Sequence, residues 1–283
     1  MSGYILCQMK KAKRPYYIES VGINLYSMEE LSYFLANNLY LLDESVFNED
    51  LCLWIREEFQ SAKLSAKLYS LLEKWRSEDE INWADVLIPI LKETHYYNIE
   101  EYRKLQLALA TFAGQSKQMR LKLKGDCLFL HEKYQTAIET YTRVLKKKEG
   151  DEKSRFVGSI YNNMGCSYMR MFQIKEAVTC FYEAYECIHS RETLKSYLYA
   201  SYILGPSSAY EELIKKMRVD EDLLVELNTE IASSKEAGRQ QMQSIGYEEA
   251  KEALLNGETE EYKKTLENIL GELRESYHKN IGM

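Results

Sequence analysis

From Ser27 onward, apolar side chains return every three or four residues, the period of amphipathic helices. Ser27-Met28-Glu29-Glu30 reads as a capping box, in which Ser27 accepts from the backbone N–H of Glu30 and Glu30 reaches back. Leu31, Phe34, Leu35, Leu39 and Leu42 then form one apolar face. Asn48 is expected to cap a second helix carrying Leu51, Trp54, Ile55 and Phe59, and Ser61 to open a third through Leu64, Leu68, Leu71, Leu72 and Trp75. The charged run RSEDEIN, 76–82, marks a loop. Beyond it Trp83, Val86, Leu87, Ile90 and Leu91 make a stripe that Pro89 should kink or shorten. Asn98 with Glu101 is a second capping box, opening a helix with Tyr102, Leu105, Leu109 and Phe112 that Gly114 ends. Residues 27–115 therefore predict a bundle of about five short helices. Residues 1–26 differ: YILCQ and PYYIESVGINLYS, rich in β-branched and aromatic side chains, flank KKAKR and predict a short β-hairpin or an extended arm.

An internal repeat follows. KGDCLFLHEKYQTAIETYTRVL from Lys124 aligns with MGCSYMRMFQIKEAVTCFYEAY from Met164, a period of 40. Gly125 falls on Gly165, Leu128 on Tyr168, Ala137 on Ala177, Tyr141 on Phe181 and Val144 on Ala184. The glycines and alanines are expected where two antiparallel helices approach closest, and Tyr141 and Phe181 in the space between successive hairpins. The stretch from Glu192 to Leu204 reads as a third helix of the same kind, stopping at Gly205-Pro206. Residues 206–283 continue as helix. Ser207 or Ser208 is expected to cap Tyr210–Met217 and Asp220 to start a long helix. The polar run ASSKEAGRQQMQS reads as a joint, Asn256-Gly257 as a turn, and Tyr262, Leu266, Ile269, Leu270 and Leu273 as the stripe of the last helix.

A Gly within a first helix, an Ala twelve residues on and an aromatic four further resemble the tetratricopeptide repeat over 116–204, as two units and a partial third. That family's unit is 34 residues; the excess here is placed in the polar connector KKKEGDEKSRF. The resemblance implies an all-α stack of helical hairpins, 116–205, flanked by the 27–115 bundle and a C-terminal capping or hairpin region, 206–283. It also implies a concave groove lined by the first helices of the units. Around Gly125 the groove-facing set is Lys122, Asp126, Phe129 and Leu130. Around Gly165 it is Asn162, Asn163, Cys166, Met169 and Arg170. Ser196, Tyr197 and Thr193 come from the third helix. Some family members grip a C-terminal carboxylate with a Lys and Asn of the first unit, an Asn of the second and two basic residues of the third. Lys122 and Asn163 match two of those places. Asp126, Thr193 and Tyr197 depart from the others, which argues against that grip.

Composition changes the picture only at its edges. The 283 residues hold 3 Pro and 13 Gly, few breakers, and 23 Tyr suited to helix packing. Residues 1–115 carry 12 basic and 17 acidic side chains, 116–205 carry 15 and 10, and 206–283 carry 10 and 17. A mildly basic middle suits an acidic peptide, whereas the net charge of −7 argues against nucleic acid. No apolar run reaches the ~20 residues of a membrane span. The six Cys show no C-x-x-C and the N-terminus lacks the charge order of a secretory signal, so a cytoplasmic protein with reduced thiols is expected. His95, His131, His189 and His278 are widely separated. Cys127 with His131 and Cys187 with His189 form pairs, where a metal needs three or four converging ligands. No phosphate loop or catalytic motif appears, so neither cofactor nor enzymatic activity is expected. The sequence points to a non-catalytic scaffold or adaptor holding a peptide or protein segment in the groove, with room for homo-oligomers. The alternative is a peptide-sensing regulator whose N-terminal helices act on another protein.

Overall fold

The computed structural model describes residues 10–78, 81–94, 96–146, 154–205, 207–244 and 246–280. The protein is all-α: among these residues stand fourteen α-helices and one two-stranded sheet. Strands β1 (Tyr16–Ile18) and β2 (Ile23–Leu25) pair antiparallel, with Tyr16 opposite Leu25 and Ile18 opposite Ile23. The period-two alternation buries Tyr16, Ile18 and Leu25 and leaves Tyr17 outside. Gly22, at φ +69°, supplies the left-handed turn residue. The Tyr16 hydroxyl donates to the Val46 carbonyl (2.9 Å), and the Trp54 indole N–H to the Arg14 carbonyl (2.7 Å). The second apolar run is therefore a hairpin stitched into the core, not an extended arm. The first run, YILCQ, lies outside the described residues.

Helices α1 (Met28–Asn37), α2 (Glu49–Phe59), α3 (Ala62–Glu78), α4 (Trp83–Thr94) and α5 (Ile99–Gly114) follow. Three start where capping chemistry places them. Ser27 Oγ accepts from Glu30 N–H (3.1 Å), Asn48 Oδ1 from Leu51 N–H (3.0 Å), and Asn98 and Glu101 form a complete capping box. The Ser61 hydroxyl instead donates to Glu93 Oε1 (2.8 Å), tying the start of α3 to the end of α4. The run expected as a loop is helical as far as Glu78, where Arg76 reaches Glu49 (2.6 Å). Pro89 does not shorten α4, which continues to Thr94.

The next five helices are α6 (Lys117–Leu130), α7 (Tyr134–Lys146), α8 (Arg155–Arg170), α9 (Ile174–Ile188) and α10 (Arg191–Leu204). Helix α6 packs on α7, α8 on α9, and α10 on α9, while α7 and α6 both touch α8. Most of the polar connector, 147–153, lies outside the described residues. One hydrophobic core runs from Ala12 to Cys180, through the hairpin, the five-helix bundle and the first repeat, so the divisions drawn at 26 and 115 fall inside it. Each fully buried Leu, Ile or Phe in it contributes roughly 1.5–3 kcal/mol.

Two polar links join the bundle to α6. The His131 ring meets Asn38 Oδ1 (2.8 Å), and Lys124 pairs with Asp43. Burial pushes the Asp43 carboxyl up, but hydrogen bonds from Lys124 and Ser45 outweigh it and hold the group below its ordinary value. A carboxyl lowered on folding contributes stability above its unfolded pKa and loses it as pH falls through the folded one. Asp43→Asn is therefore expected to cost about 1 kcal/mol at pH 7 in urea unfolding. The deficit should vanish in acid; one that persists unchanged at pH 3 would rule out the ionic contribution.

The chain divides into two compact units, 1–204 and 205–283. In the second, α11 (Ser207–Met217) starts at Ser207, three residues before the expected Tyr210. Asp220 does cap α12 (Glu221–Ser244), accepting from Leu223 N–H (2.8 Å). The polar run expected as a joint is helical within α12. Helix α13 (Tyr247–Leu255) packs on α12 and α14 (Thr259–Asn280), with Gly257 at φ +77° in the turn.

Candidate functional site

The period of 40 in sequence becomes a repeated steric fit. A Cβ on Gly125 would lie 2.5 Å from a ring carbon of Tyr141, and one on Gly165 would lie 2.7 Å from the ring of Phe181. The aromatic side chains thus sit across their own hairpin's glycine, rather than between successive hairpins as expected. Flat rings lying over bare backbone let α6 and α7, and α8 and α9, approach closely while still filling the space between them. A Cβ on Gly158, at the other end of α8, would likewise lie 2.5 Å from the Ile188 side chain.

On this frame Asp126 becomes a hub. Its Oδ2 accepts from Lys122 Nζ (2.6 Å), one helical turn earlier. Its Oδ1 accepts from the Tyr141 hydroxyl (2.7 Å) and from Asn163 Nδ2 (2.8 Å). Asn162 donates weakly to Asn163 Oδ1 (3.4 Å). Three donors from α6, α7 and α8 therefore converge on one carboxylate. Burial, with Asp126 beside it, pushes the Tyr141 hydroxyl far above its usual range and keeps it a donor. Lys122, Asp126 and Asn163, all expected to line a groove, are thus bonded to one another.

Beside the hub is a pocket of about 240 Å³ lined by Asp126, Phe129, Leu130, Tyr141, Asn163 and Cys166. It falls below the ~300–1,000 Å³ of typical small-molecule sites, a size suited to one large side chain. Leu130 is 78 % exposed. Phe129 is braced edge-on by Tyr134 (5.4 Å). Burial pushes the Cys166 thiol up, with Arg170 pulling the other way, so the sulfur is a neutral, weakly nucleophilic wall.

The remaining expected residues divide. Met169, Cys166 and Tyr197 pack around Ala177, Phe181 and Ala200, with Tyr182 against Tyr197 (5.4 Å). Arg170 is exposed at the end of α8. The Ser196 hydroxyl donates back to the Glu192 carbonyl (3.1 Å). Thr193 is buried at the start of α10 and bonds to Ser190. Tyr141 is the pocket-lining residue that periodicity places elsewhere. The repeat itself holds the signal: Asp126 with Tyr141 in the first unit is replaced by Cys166 with Phe181 in the second, so the carboxylate and the hydroxyl go together.

Among the described residues no group of three or more His, Cys, Asp or Glu is placed to hold a metal ion, and no helix is long and apolar enough to cross a membrane. Compared with family profiles, curated proteins and solved structures, the chain matches none.

Proposed function

We propose that this protein is a non-catalytic adaptor whose two hairpins act as tetratricopeptide-like units, holding a segment of another protein against α6 and α8. The observation that carries this reading is the pocket beside Asp126. Its polar groups are already bonded to one another, while Phe129, Leu130 and Cys166 offer apolar wall. Such a site recognises by burying one apolar side chain, worth roughly 1.5–3 kcal/mol, rather than by gripping a carboxylate. Arg170, close enough to act on the Cys166 thiol, adds a preference for an acidic neighbour in the bound segment.

The test is affinity capture from the native cell with the wild type and with Leu130→Glu and Arg170→Glu. Both positions are exposed, so folding is expected to survive. Charge reversal at Lys122 is a poorer test because it breaks the Asp126 hub. The expected result is loss of most of the captured partner in both variants. Capture of the same partner in wild-type amounts by both would sink the proposal. A second reading, a peptide-sensing regulator, draws on the links from Asn38 and Asp43 to the first hairpin, which give the N-terminal helices a route to feel groove occupancy. A thermal shift caused by a small cell-extract peptide favours it; co-purification of a large protein without such a shift favours the adaptor.

A further inference from the structure

A separate cleft of about 560 Å³ lies where α3, α4, α5 and the start of α6 meet. Among the described residues three cations line it, Lys117, Arg120 and the already engaged Lys74, with one carboxylate, Asp85. Lys117 opens α6 and Arg120 ends its first turn, where the helix dipole disfavours cations and no acidic side chain is present. Neither side chain is in a salt bridge among the described residues, and the Arg120 guanidinium lies over the Phe112 ring (5.2 Å to the centroid). The opposite wall is aromatic: half-buried Trp75 meets Trp83 edge-on at 5.5 Å, with Phe47 stacked behind Trp75 at 6.1 Å. Apolar side chains of Leu71, Ile81 and Leu109 complete the lining.

Two placements here are unfavourable without an occupant. Like charges gather at the positive end of a helix, and part of an indole cluster is left open to water. A ligand that carries a negative group and a planar ring relieves both, since its anion meets the Lys117 and Arg120 side chains while its ring covers Trp75. We infer that this cleft is a binding site for a small planar organic anion, a ring bearing a phosphate or a carboxylate. It shares no residue with the groove beside Asp126, so the two sites stand or fall separately.

The test follows tryptophan fluorescence of the full chain during titration, because Trp75 and Trp83 line the cleft. The probes are 1-naphthyl phosphate and 1-naphthoate, with 1-naphthalenemethanol as the uncharged ring and inorganic phosphate as the ringless anion. At least one naphthyl anion is expected to bind about tenfold or more tighter than both the alcohol and inorganic phosphate, as charge-assisted hydrogen bonds imply. The preference between the two anions identifies the head group. Lys117→Ala with Arg120→Ala should remove that tenfold advantage and leave binding of the alcohol unchanged. Asp85→Asn should tighten binding of the preferred anion. The inference is overturned if the alcohol binds as well as both anions, if the double variant binds the preferred anion like the wild type, if Asp85→Asn weakens it, or if neither anion gives saturable quenching by millimolar concentration.

Discussion

Replacing Gly125 with alanine should destabilise the protein by about 2 kcal/mol, although alanine is the better helix former by roughly 1 kcal/mol. The new Cβ would sit 2.5, 2.8 and 2.9 Å from three atoms of the Tyr141 ring. That ring is fully buried and its hydroxyl is held by Asp126, so it cannot swing aside. The overpacking cost therefore falls at the upper end of the usual 1–3 kcal/mol and exceeds the propensity gain. Gly165→Ala should cost less, about 1 kcal/mol, because Phe181 has no hydroxyl to anchor it and can tilt. Gly238→Ala is the control. It lies within α12 with nothing near its missing Cβ, so the same exchange should stabilise by roughly 0.5–1 kcal/mol. Denaturant unfolding of the three variants gives the order directly. Equal effects at Gly125 and Gly238 would show that ring-over-glycine packing does not hold the hairpin together.

Those glycines also show how far the sequence could be read. Their spacing, with Ala137 and Ala177, announces a close helix pair, because small residues recurring at a fixed period have a steric cause. Caps at Ser27, Asn48 and Asn98 were equally legible, since each needs only a side-chain oxygen and an amide two or three residues on. What failed was whatever depended on a distant partner. Ser61 does open α3, but that its hydroxyl goes to Glu93, 32 residues away, is not legible. The N-terminal run reads equally as a hairpin or an arm, and only the bonds to Val46 and from the Trp54 indole decide for the hairpin. Lys122 and Asn163 look like open ligand groups because periodicity places them on one face. It does not reveal that the Asp126 carboxylate bonds to both of them. Most of the pocket is legible: register alone points to Asp126, Phe129, Leu130, Asn163 and Cys166, whereas the Tyr141 contribution requires knowing which way its ring crosses.

Asp126→Ala should have the largest effect of any single change considered, about 3 kcal/mol. Removing one member of a hydrogen-bonded charge network leaves its partners uncompensated, and three are stranded here: the Lys122 ammonium, the Tyr141 hydroxyl and the Asn163 amide. Tyr141→Phe loses a single hydrogen bond to a charged acceptor and should cost about 1.5 kcal/mol. In the double variant Asp126→Ala with Tyr141→Phe, the hydroxyl is no longer stranded, so the combined cost should fall short of the sum by about 1 kcal/mol or more. Asp126→Cys with Tyr141→Phe carries the test further, because it installs in the first hairpin the pair that the second hairpin already uses, Cys166 with Phe181. It should be more stable than Asp126→Cys alone. Strict additivity in both comparisons would mean that Asp126 and Tyr141 do not act together, and the hub would reduce to a local Lys122 ion pair. Non-additivity accompanied by weaker partner capture, with Leu130 and Arg170 intact, would show that the hub shapes the pocket wall as well as joining the hairpins.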